Sequence, residues 1–146
     1  MNNIQKLYIS ELDALAKEIS LYRDEKNLWI LTGDIKNSPG NLCLHIIGNL
    51  KHFWGNIIGG TGYVRERDKE FSDKNISRDE LIKGIEETKI VLNNIFENLS
   101  DEDQQKPYPE DFFGKGSNVA FVTARLISHL SYHLGQINYH RRITEV

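Results

Sequence analysis

The chain of 146 residues is predicted to be all-α, a four-helix bundle with long connections. Three observations lead there. Four stretches carry apolar residues at three- and four-residue steps, and no segment alternates long enough to read as a half-buried strand. Each stretch is about 20 residues, hence about 30 Å at 1.5 Å per residue, which is bundle-helix length. The breakers fall between the stretches.

The first helix is expected over about 2–25, where Ile4, Leu7, Tyr8, Leu12, Leu15, Ile19 and Tyr22 form one stripe. Asn37-Ser38-Pro39 starts the second, because Ser38 can cap free N–H groups and proline is tolerated in a first turn; Gly59-Gly60 ends it. Ser77 and Glu80 have capping-box spacing ahead of Leu81, Ile85, Thr88, Leu92, Ile95 and Leu99, which defines the third. The loop 100–116 holds Pro107, Pro109, Gly114 and Gly116, and Ser117 or Asn118 then caps a fourth helix reaching about 142. Connections of about 12, 17 and 17 residues exceed those of simple up-down bundles, so a crossover topology or functional loops are expected. The whole chain, 1–146, reads as one domain.

Composition narrows the function. With 18 basic and 21 acidic residues the net charge is −3, and the pI near 5.9 argues against a nucleic-acid partner. No long apolar run suggests a membrane span, and the first 25 residues are unlike a signal peptide. The lone Cys43 cannot form an internal disulfide or a thiolate zinc cluster, which fits a cytoplasmic protein. A chain this long folds without a structural metal, so a metal site would serve function.

The five histidines carry the strongest signal. His129 and His133 stand four apart on the fourth helix, so both rings leave one face and can bind one ion. Spacing alone is weak, but both lie on the flank of the Leu126/Leu130/Ile137 stripe, and from Ser117 to His140 the only formal charge is Arg125. On the second helix, His45 sits at the centre of an arc with Asn41, Asn49, His52 and Asn56. A solvated face normally carries Lys, Glu or Arg, so this uncharged strip reads as a polar wall inside the protein.

Inward groups from facing helices converge in bundles, which makes His45, His129 and His133 a three-nitrogen set suited to a divalent Zn, Ni or Fe ion with open positions. Asn49, Tyr132 and Gln136 are close enough along their helices to orient the rings. His52 lies two turns beyond His45 and could ligate only in another geometry, Cys43 points to the core, and His140 is read as a surface or helix-end residue. Arg65 and Arg67 can clamp an anionic substrate or stand as solvated loop charges. No Glu occupies a His-Glu-x-x-His arrangement, so no general base is evident.

Ser38-Pro39-Gly40-Asn41-Leu42-Cys43-Leu44-His45-Ile46-Ile47-Gly48-Asn49-Leu50, the segment Arg65 to Phe71, and Ser128-His129-Leu130-Ser131-Tyr132-His133-Leu134-Gly135-Gln136-Ile137 together resemble the DinB-like (YfiT-like) metalloprotein superfamily, within it a bacterial branch of undetermined activity. The resemblance runs over nearly the whole chain. It implies an up-down-down-up four-helix bundle, a homodimer, and a metal on His45, His129 and His133. Related proteins include thiol S-transferases and thiol-dependent isomerases that use low-molecular-weight thiols. Many members have His-Arg-Gly-Gln where this chain has His133-Leu134-Gly135-Gln136.

The expected function is therefore a metal-dependent enzyme whose ion activates a small thiol or water for transfer or hydrolysis of a small-molecule substrate. The alternative is a non-catalytic dimeric bundle with a structural or sensory metal. Dimerisation is also expected from the wide apolar arc of the second helix.

Overall fold

The computed structural model describes residues 2–146, which are helical with no β-strand among them. Six α-helices follow in order: α1 Asn3–Leu21, α2 Pro39–Leu50, α3 Arg67–Ser72, α4 Arg78–Asn98, α5 Asp101–Gln105 and α6 Val119–Thr144. The four long ones form the bundle. Three of their starts are capped by the residues that the sequence singles out: Ser38, Ser77 and Asn118 each accept the backbone N–H of the residue three positions on. The long connections contain α3, α5 and 3₁₀ turns at Glu25–Trp29 and Asp111–Phe113.

α1 packs on α4 and α6, and α2 packs on the same two. Tyr8, near the start of α1, donates to the Thr123 carbonyl near the start of α6 at 2.6 Å, and its ring meets Phe96 at the end of α4. At the other end, the Arg78 guanidinium at the start of α4 donates to the Tyr22 carbonyl just after α1. With Trp54, just past the end of α2, also against the Tyr8 ring at 6.1 Å, the helices run up, down, down, up. Tyr8, Leu12, Leu15 and Ile19 are fully buried along α1, each contributing about 1.5–3 kcal/mol of apolar burial.

One helix boundary and one helix type differ from the sequence reading. α1 stops at Leu21 rather than near 25, because the Asp24 side chain accepts from Lys26 N–H and so caps the 3₁₀ turn instead of continuing the helix. The second helix reaches Ile58, but Lys51–Ile58 is π-helical, closing with an i→i+5 bond from Gly59 N–H to the Trp54 carbonyl at 2.9 Å.

α2 is the most enclosed element. Eleven of its twelve residues are buried, so most of its apolar arc is covered by this chain. Its polar arc is covered as well, by α3. Asn41, fully buried, donates to the Glu70 and Asp73 carbonyls at 2.9 and 2.8 Å and so ties α3 across the strip. No described helix is long and apolar enough to cross a membrane.

Candidate metal centre

α2 carries His45 to the seam with α6, where His129 and His133 meet it one helical turn apart. The ligand atoms of the three rings lie within 4.8 Å of one another. His129 Nε2 is 2.9 Å from His45 Nε2 and 3.1 Å from His133 Nε2. A tetrahedral ion with 2.0–2.1 Å bonds needs about 3.3 Å between such nitrogens, within a small rotamer adjustment of these spacings.

The outward nitrogens are committed. His45 Nδ1–H donates to Glu70 Oε1 at 2.9 Å, and His133 Nδ1–H donates to Gln136 Oε1 at 2.7 Å. Those bonds place the protons on Nδ1 and leave the Nε2 lone pairs of His45 and His133 facing His129. A neutral His129 has at most one proton to offer two acceptors, so the donor set is short of positive charge at its centre. Burial first, then the neighbouring His133, His45, Arg65 and Arg125, pushes His129 down from 6.5 to about 4. Burial also lowers His133, against the opposing pull of Gln136. Neutral, convergent imidazoles are the form that binds a divalent ion.

Glu70 holds this arrangement and is absent from the set expected from the sequence. Its carboxylate, 6% exposed, accepts from His45 and twice from Arg65, whose Nε lies 2.8 Å from Oε2 and whose Nη2 lies 2.9 Å from Oε1. Burial acts to raise its pKa, but the bonds to His45 and Arg65 and the Arg65 charge prevail and hold it below the usual range. Its close approach depends on Gly48: a Cβ there would lie 1.9 Å from Glu70 Oε2. The signal available in the sequence was the Arg65 to Phe71 segment itself, together with a glycine one turn after His45 on the same helix.

The other expected residues divide. Gln136 orients His133. Asn49 is buried but bonds to no ring; it lines a cavity with His45 and His129, and its Oδ1 has no hydrogen-bond partner. Tyr132 is 64% exposed and stands beside the His133 ring without bonding it. Arg65 is taken by Glu70, whereas Arg67 is exposed, with its guanidinium 5.3 Å from the Phe71 ring centroid. His52 lies apart from the cluster, its ring against Phe53. Cys43 is core, and burial pushes its thiol up to about 12.

His140 overturns its sequence reading. It is buried at 5% exposure, accepts from the Tyr22 hydroxyl at 2.9 Å and donates to the Ile30 carbonyl at 2.8 Å, pinning the end of α6 to the chain after α1. The wheel alone could not see that the segment after α1 folds back over this position.

The cavity on the His45 and His129 side has a volume of about 300 Å³. A larger one of about 650 Å³ lies between the π-helical segment, the end of α4 and α5, with no histidine in its wall. A third, of about 510 Å³, is lined by His133, Gln136 and His140, whereas the smallest of the three is lined by two of the clustered histidines, His45 and His129, together with three arginines.

Helical bundle and converging histidines define the class: an all-helical protein with a three-histidine cluster able to bind a metal ion. The chain belongs to the family described as "protein of unknown function (DUF1572)", whose model matches residues 3–145. No curated protein matches it significantly.

Proposed function

We propose that the chain is a DinB-like metalloenzyme in which His45, His129 and His133 hold a divalent Zn, Ni or Fe ion for transfer or hydrolysis by a small thiol or water. The observation that carries this reading is the inward convergence of three Nε2 atoms, two of them fixed by Nδ1 bonds to Glu70 and Gln136. When bound, such an ion supplies Lewis acidity and lowers the pKa of a thiol or water toward 7. The protein supplies the rest: Glu70 and Gln136 hold the ring tautomers, Arg65 holds Glu70, and Phe113 and Leu126 limit water on the cavity side.

One feature favours the non-catalytic alternative, a bundle holding a structural or sensory ion. The wall of the cavity contains no carboxylate, and Glu70, the nearest, is fully engaged. Two measurements decide. Untagged wild-type protein is expected to carry one equivalent of metal, and His129→Ala and His133→Ala to lose it; equal metal content in all three refutes the ligand set. Turnover of a small electrophile with a low-molecular-weight thiol, or its hydrolysis, should exceed the His133→Ala control, and equality would leave the binding role.

A further inference from the structure

The cavity beside His45 and His129 carries more positive charge than its neighbourhood explains. Arg65, Arg67 and Arg125 all line it, and none of its lining residues is acidic, in a chain whose net charge is −3. Arg65 is neutralised by Glu70. Arg67 and Arg125 have no carboxylate partner among the described residues, where the Lys and Arg ion pairs engage other groups. They come from different elements, one from the start of α3 and the other from α6 one turn before His129.

Two further features describe what lies between them. Asn49, 7% exposed, lines the cavity with an acceptor oxygen that no protein group satisfies, so a hydroxyl or N–H is missing there. Phe112 and Phe113 form the remaining wall, with Phe53 packed behind both rings at 5.0 and 4.8 Å. About 300 Å³ holds roughly ten waters at ~30 Å³ each, the scale of a ring with one charged substituent.

We infer that this cavity is an oxyanion subsite, in which Arg67 and Arg125 bind the carboxylate or phosphate of a small molecule whose apolar body rests on Phe112 and Phe113. Guanidinium matches both anions with paired N–H donors. The inference builds on the metal-centre reading by naming the ligand class at the same site. It also revises the pair of arginines expected from the sequence, replacing Arg65 with Arg125.

The test is calorimetric titration of the purified protein, zinc-loaded and metal-free, with benzoate, phenyl phosphate and the uncharged benzyl alcohol. At least one anion should bind wild type ten or more times tighter than benzyl alcohol, and the tighter of the two identifies the group. Arg125→Gln and Arg67→Gln should each weaken it about tenfold while leaving zinc content and the unfolding midpoint unchanged. Arginine-dependent binding in a protein that takes up no zinc upholds the subsite and sinks the metal reading. Conversely, zinc uptake with anion binding indifferent to both arginines, equal binding of the alcohol, or no binding of either anion at millimolar concentration overturns the subsite alone.

Discussion

Replacing Glu70 by Gln keeps the side chain's size and removes its charge, which isolates what the carboxylate does. It accepts three hydrogen bonds, with His45 and Arg65 Nη2 on Oε1 and Arg65 Nε on Oε2. An amide has one acceptor oxygen. If that oxygen stays on His45, its NH₂ faces Arg65 Nε, donor against donor; if it turns, His45 loses its partner. Either way Arg65, whose side chain is 11% exposed, keeps a charge with no counterion. Breaking a pair buried this deeply costs about 3 kcal/mol of stability. Loss of a ligand's orienting carboxylate typically lowers metal affinity 10- to 100-fold, about 1.4–2.7 kcal/mol. The assay is a competition titration with a chromogenic chelator, beside urea unfolding of the metal-free forms. Zinc affinity within twofold of wild type, in a Glu70→Gln protein that is measurably destabilised, would refute the orienting role and leave Glu70 as packing alone.

Other consequences follow from the same contacts. Gly48→Ala forces Glu70 away from its seat and should cost about 1–3 kcal/mol in urea unfolding, with weaker zinc binding; a neutral result would mean that α3 shifts freely. In the metal-free protein His129 is held at about 4, so the unfolded chain, titrating near 6.5, binds a proton that the native state does not. Stability should therefore fall as pH drops from about 6.5 toward 4, and urea midpoints equal at pH 7 and pH 5 would contradict this. His140→Ala leaves the Ile30 carbonyl without its donor and should lose about 2 kcal/mol with zinc uptake intact; loss of zinc would place His140 in the site. A homodimer is still expected, now on the face where Ile35, Tyr132, Tyr139 and Ile143 are exposed around one groove, and sedimentation at 16.9 kDa would count against it.

What could be read in advance followed from periodicity and caps. The α1, α4 and α6 stripes, the Ser38, Ser77 and Asn118 starts and the facing of His45 toward His129 and His133 all depend on steps of three and four along regular helices. The misses share a cause, which is departure from that regularity. The π-helical turn departs from the regular angle per residue from Lys51 onward, which apolar spacing does not signal. Glu70 sits on a six-residue helix with no stripe to reveal it, fastened by Asn41 from another element. Arg65 looked free because its partner lies five residues on, on a backbone direction that only the fold supplies.

The uncharged strip on α2 is explained by this geometry. A Lys or Glu at positions 41, 45, 48 or 49 would lie under α3 and would have to be desolvated there, at a cost of several kcal/mol without a partner. Asn41 instead donates twice to α3 carbonyls, Gly48 leaves the volume that Glu70 fills, and His45 gives that carboxylate a proton to accept. One charged pair, Arg65 and Glu70, is admitted to the seam, and it lands on the outer nitrogen of His45. The polarity of the strip thus holds α3 and one imidazole in place, which is the arrangement that fixes the position of a ring nitrogen.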